Sequence, residues 1–121
     1  AETFGHKLTA FDINSDGTLH NKRTRADLGD NTPDRICLDE AGAKWAACFV
    51  TEKFIRAFEG GEIQRQISAK GTTADACNSG GEDRKTLFCL TYNGELEDIA
   101  KGLPRAEIYT CRVEVGGTGS P

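Results

Sequence analysis

Short apolar or alternating runs recur along the whole 121-residue chain, each bounded by Gly, Asn, Asp or Pro. No window holds a helical period for three turns, so the pattern is all-β. The runs predict strands over residues 8–13, 19–28, 35–38, 44–50, 54–58, 62–68, 74–78, 86–92 and 106–115. Between them stand turn sequences: Ser15-Asp16-Gly17, Ala41-Gly42, Glu59-Gly60-Gly61 and Gly80-Gly81-Glu82-Asp83. Residues 94–101, with Leu96, Ile99 and Ala100 on one side, predict a short helix.

Two stretches read as copies of one unit. Asp34-Arg35-Ile36-Cys37-Leu38, a glycine turn and Lys44-Trp45-Ala46-Ala47-Cys48-Phe49 are followed by Asp75-Ala76-Cys77-Asn78, a glycine turn and Thr86-Leu87-Phe88-Cys89-Leu90-Thr91. Asp34 and Asp75 are 41 positions apart, Trp45 and Phe88 43 apart. That period belongs to β-propeller blades, antiparallel four-stranded sheets of roughly 40 to 50 residues. On this template the chain holds about two and a half blades. Residues 1–28 supply the outer strands of one, 29–70 a complete blade and 71–115 a last blade lacking its outermost strand. Residues 116–121 read as a flexible tail.

Composition narrows the function. Fifteen Lys and Arg against 19 Asp and Glu give a net charge of −4 with no block of one sign, which argues against nucleic acid as a partner. No apolar run is long enough to cross a bilayer, and the first ten residues lack a signal-peptide pattern, so no membrane partner is expected. The five Cys at 37, 48, 77, 89 and 111 form no CxxC pair and read as buried thiols of a reducing, cytoplasmic compartment. With only His6 and His20 beside them, a Cys/His zinc cluster is excluded by spacing. The chain contains no Met and reads as a processed product or an excerpt of a longer protein.

The ordered set Leu8-Thr9-Ala10-Phe11-Asp12-Ile13, Asp16-Gly17-Thr18-Leu19, Ala26-Asp27-Leu28 and Thr32-Pro33-Asp34-Arg35-Ile36-Cys37-Leu38-Asp39 resembles the senescence-marker-protein, gluconolactonase and luciferin-regenerating-enzyme family. Gly60-Gly61-Glu62-Ile63, Ala76-Cys77, Gly80-Gly81 and Thr86-Leu87-Phe88 continue the match to about residue 115. The resemblance implies a six-bladed propeller whose central channel holds one divalent metal, calcium or zinc, on carboxylate and amide side chains from several blades. It implies hydrolysis of a sugar lactone or similar ester. The family's Pro-Asp-Gly turn places its metal-binding Asp at Asp34, which is also the candidate base for activating water. A hard cation needs such oxygen ligands and can polarise the lactone carbonyl, and a neighbouring carboxylate can take the proton. Asp75, in the equivalent place of the next blade, and Asn78 are the candidate substrate contacts.

Two features depart from the family. Arg35 stands where the family has Gly, and six blades need on the order of 270 residues, which places the other metal ligands outside this chain. The rival expectation is a non-catalytic fragment or degenerate relative that serves as a binding or assembly scaffold, with Arg35 pairing to Asp34. Unpaired strand edges would need covering, either by the remainder of the propeller or by further copies of the same chain, three of which would close a ring. Other features have plain readings. Asp12 to Gly17 matches the start of an EF-hand loop, but Arg23 occupies its twelfth position, so a hairpin turn is expected. Trp45 reads as the packing residue of its blade, the two His as surface residues on outer strands, and no Ser, His and Asp combination suggests nucleophilic catalysis.

Overall fold

The computed structural model describes residues 1–119. Nine strands and one short helix follow in order: β1 (Lys7–Ile13), β2 (Leu19–Asp27), β3 (Pro33–Leu38), β4 (Lys44–Cys48), β5 (Lys53–Ala57), β6 (Ile63–Ser68), β7 (Thr73–Gly80), β8 (Thr86–Tyr92), α1 (Leu96–Ala100) and β9 (Ala106–Arg112). They form three antiparallel sheets, β1-β2, β3-β4-β5-β6 and β7-β8-β9. The all-β reading holds, and each sheet is a successive meander, as propeller blades are. Two predicted strands run too long. The 44–50 run ends at Cys48 because residues 49–52 turn, with Glu52 at φ 51°, and the 106–115 run ends at Arg112, after which the Val113 N–H donates to the Lys85 carbonyl.

The middle sheet explains why its central strand reads as an unbroken apolar run. All five residues of β4 are buried, because each of its faces meets a neighbouring sheet. Trp45 and Ala47 join Cys37, Phe54, Ala74, Cys77, Leu87, Cys89 and Val113 in one core layer, against the third sheet. Ala46 and Cys48 join Leu8, Ala26, Leu28, Ile55 and Ala57 in the other, against β1 and β2. The second layer is closed by a glycine turn: the Gly60 N–H donates to the Arg25 carbonyl, and Arg25 pairs with Glu59. Gly61 lies at φ +104°, and a Cβ there would fall 1.9 Å from the Asp27 carbonyl oxygen, so only glycine lets this turn approach β2.

The two repeats are not in the register that Trp45 and Phe88 suggest. Trp45 faces Cys37 across the middle sheet, whereas the residue facing Cys77 is Cys89. The equivalent of Trp45 is therefore Cys89, and one position in a strand changes the face. Phe88 points to the opposite side, 37% exposed, beside Leu90 and Ile108.

One buried ion pair ties the middle sheet together. Asp39, 1% exposed, accepts the N–H groups of Ala41 and Ala43 on Oδ1 at 2.9 and 3.1 Å. Its Oδ2 accepts Arg56 Nε at 2.6 Å. The same carboxylate thus shapes the β3–β4 turn, with Gly42 at φ +81°, and fixes β5. Arg56 Nη1 goes on to Gln64, and its guanidinium lies 5.0 Å from the centre of the Phe58 ring.

Residues 116–119, read from the sequence as part of a flexible tail, lie along the first strand of the middle sheet. The Glu40 N–H donates to the Gly116 carbonyl, and Gly117 and Thr118 N–H to the carbonyls of Arg84 and Leu38, all within 2.9–3.2 Å. Ser120 and Pro121 lie outside the described residues. His20 is exposed on β2, while His6 differs from expectation: it precedes β1, is half-buried and holds the Asn31 carbonyl at 3.0 Å through Nδ1. The 94–101 helix is reduced to the five residues of α1, closed by a Glu95/Asp98 capping box.

Removal of one partner of a buried ion pair leaves an uncompensated charge and costs about 3–5 kcal/mol. Asp39→Ala is expected to lower the unfolding free energy of the chain by that amount in a urea titration, while Asp12→Ala, on the exposed β1–β2 hairpin, leaves it close to unchanged.

Candidate functional site

The innermost strands of two adjacent sheets, β3 and β7, form the walls of a cleft of about 590 Å³. Asp34, Arg35 and Cys37 line it from β3, Asp75, Cys77 and Asn78 from β7. All three residues singled out in the sequence, Asp34, Asp75 and Asn78, therefore stand on one surface. Each carboxylate arrives there by a local irregularity. The β3–β4 register skips between Pro33 and Ile36, which puts one extra residue at Asp34-Arg35, and the β7–β8 register skips between Ala74 and Ala76, which leaves Asp75 extra. A bulge turns the side chain out of the regular alternation and bends the strand end. The sequence gives no sign of it, since a bulge is a relation between two strands.

The electrostatics of the two acids differ. Asp34 is exposed and has no ion-pair partner among the described residues; Arg35, also exposed, does not pair with it. Asp75 is half-buried. Burial pushes its carboxyl above the usual carboxylate range, a bond from Thr73 pulls the other way, and the Asp34 charge adds to the rise. Asn78 turns its Oδ1 onto the N–H of Ser79 at 2.9 Å, so its amide NH₂ is the end free to meet a ligand.

Cys37 and Cys77 form the floor, 8% and 5% exposed. Cys37 Sγ lies 3.8 Å from Ser79 Oγ, and Cys77 Sγ 4.0 Å from the Arg35 carbonyl. Bonds from Cys77 and Ser79 hold the Cys37 thiol below its usual range, while Cys77, bonded to Cys37 and buried, is pushed far above it. Burial pushes Cys89 up to about 12 and Cys48 up to about 11. All five cysteines are free thiols, four of them buried.

Two carboxylates on one surface are hard oxygen donors of the kind a divalent cation takes. No group of three or more His, Cys, Asp or Glu side chains that could hold a metal comes together among the described residues. The donor set fits such a cation only as a part of its coordination. The EF-hand-like loop is occupied by its own turn: Asp16 Oδ1 accepts the Thr18 N–H and hydroxyl at 2.9 and 2.6 Å, and Asp12 binds Arg23 at 2.8 Å. Among the described residues no helix is long and apolar enough to cross a membrane.

Residues 1–93 match the family model for the SMP-30/Gluconolactonase/LRE-like region. Regucalcin of Danio rerio is 28% identical over 98% of the chain, which corresponds to 41% of that protein. Two solved structures share the fold. A luciferin-regenerating enzyme superposes with a TM-score of 0.79 at 17% identity, over 98% of this chain and 42% of its own. A calcium-binding protein, regucalcin, from Agrobacterium tumefaciens superposes with 0.77 at 16% identity, over 100% of this chain and 43% of its own. The chain spans about two-fifths of the length of these relatives.

Asp75, with its raised pKa, is bound more weakly as a carboxylate in the folded chain than in the unfolded one. Its cost to stability is absent below the usual carboxylate range, where both states are protonated, and is complete above the raised value. Asp75→Asn is therefore expected to stabilise the chain at pH 7 by less than about 1 kcal/mol, with the difference closing as the pH falls from the raised value towards about 4. Urea unfolding of both proteins across that range checks it.

Proposed function

The chain belongs to the SMP-30/gluconolactonase/LRE-like family, and from that premise we propose that it is the part of a divalent-metal-dependent hydrolase that supplies Asp34 to a channel site acting on a sugar lactone or similar ester. The observation that carries the reading is the bulge at Asp34-Arg35, which presents an exposed carboxylate without an ion-pair partner at the cleft wall. Asp34 is assigned as one ligand of the cation, calcium or zinc, and as the base that takes the proton of the attacking water. A divalent cation bound there would polarise the carbonyl as a Lewis acid. Asp75 and Asn78 are assigned to the hydroxyl groups of the substrate, the first as acceptor and the second as donor through its amide. A cytoplasmic setting suits the free thiols.

Arg35 favours a second reading. An exposed guanidinium on the cleft wall suits an anionic ligand, in which case the chain serves as a non-catalytic binding scaffold. In the protein that contains this chain, Asp34→Asn is expected to lower lactone hydrolysis about 10²–10⁴-fold with an unchanged circular dichroism spectrum, and Arg35→Gly to tighten calcium binding measured by calorimetry. Arg35→Gly that leaves calcium binding unchanged but abolishes binding of a sugar acid supports the scaffold instead.

The partners follow from the edges. β9 hydrogen-bonds only to β8 among the described strands, and β1 only to β2. The outer face of the third sheet shows Phe88, Leu90 and Ile108 at 37%, 38% and 66% exposure, a surface of the kind an adjoining blade covers. The remainder of the propeller or further copies of this chain would close it. The purified 121-residue chain is expected to run above its monomer mass of 13.1 kDa in light scattering and to return to monomer when Ile108→Lys places a charge on that face.

A further inference from the structure

Two of the most deeply buried donors in the chain have no acceptor. Trp45 and Arg56 are 1% and 5% exposed, and neither the Trp45 indole Nε1–H nor Arg56 Nη2 has a hydrogen-bond partner among the described residues. Buried polar groups are nearly always satisfied. Arg56 spends Nε on Asp39 and Nη1 on Gln64, which leaves Nη2. Trp45 and Arg56 are direct partners in the β4–β5 register, so their side chains leave the same face of the sheet.

Both line one cavity of about 60 Å³ at the seam with the third sheet, walled by Val113 and bounded by Arg65, Gln64 and Glu114. Arg65 brings a second positive charge, its guanidinium 6.0 Å from the centre of the Trp45 ring. Asp39 neutralises Arg56, while Arg65 and Glu114 at the rim are both exposed and their charges are screened by solvent.

We infer that this cavity is a binding site for a small monovalent anion of the halide class, held by the Trp45 Nε1–H and Arg56 Nη2, with Arg65 at its mouth. A cavity needs about 10–15 Å³ of such space to hold one water, so the volume admits a water-sized species, a monatomic ion among them. Trp and Arg side chains only donate. A water accepting from both would have to place its own two protons at the rim, where the Gln64 oxygen already accepts from Arg56 and Glu114 is the remaining side-chain acceptor. An anion needs no such acceptor. With Arg56 balanced by Asp39 and the rim charges screened, nothing in the cavity offsets more than a single negative charge.

Trp45 is the only tryptophan in the sequence, so its emission reports on the site directly. The chain is titrated with sodium bromide at constant ionic strength, balanced with methanesulfonate. Saturable quenching is expected, with a half-point about threefold higher in Arg65→Gln, an effect of the size of an exposed charge. Quenching that rises linearly without a plateau, with the same slope in Arg65→Gln, overturns the proposal and leaves a water-filled cavity. Thermal unfolding gives an independent readout: bromide is expected to raise the midpoint over methanesulfonate in the unsubstituted chain and not in Trp45→Phe, which keeps the aromatic volume and removes the donor. An equal rise in both would overturn it as well.

Discussion

The fold turns on a carboxylate that water cannot reach. Asp39 holds the β3–β4 turn by two backbone donors and β5 by the Arg56 guanidinium. Desolvation of two charges is costly, and a well-packed apolar pair is often as stable. What the ion pair adds is direction. A hydrophobic contact would let β5 slide against the turn by a residue, whereas a bond from Nε to a carboxylate already fixed by Ala41 and Ala43 allows one register. The register of β4 against β5 sets which residues enter each core layer, and so sets how the middle sheet meets both neighbours.

That dependence extends to the cleft. The walls are the first strands of two sheets, brought side by side by the shared layer of Trp45, Cys77, Leu87 and Cys89. Asp34 and Asp75 reach a common surface only because this layer sets the distance between the sheets. The chain is a mechanical part of its site twice over, as supplier of residues and as spacer.

The strands were legible because period-2 alternation and turn residues are local properties. The 86–92 run has the bounds of β8 itself. Asp34 is legible only through the family's Pro-Asp-Gly turn, Asp75 through its place 41 positions further on, and Asn78 as the end of the same predicted strand. The bulges that carry the two acids depend on partner strands and left no trace in the chain. The role of Asp39 depends on Arg56, 17 positions away, and so escaped any local pattern. Trp45 and Phe88 differ in face because the face is set by the partner across the sheet, Cys37 for Trp45 and Asn78 for Phe88, and not by a period counted along the chain. The tail was misjudged from its glycines, although flexible composition does not prevent three long-range backbone bonds.

The bulges have a consequence for how such a site can change. In a regular strand a residue's identity and its partner's packing are bound together, so a new side chain disturbs the ladder. At Asp34-Arg35 the extra residue sits outside the pairing, and its replacement leaves the ladder bonds of Pro33 and Ile36 in place. Chemistry at the cleft is thereby uncoupled from the scaffold. A lineage can exchange a small residue for an arginine there, lose or redirect an activity, and keep a stable propeller on which selection can work again.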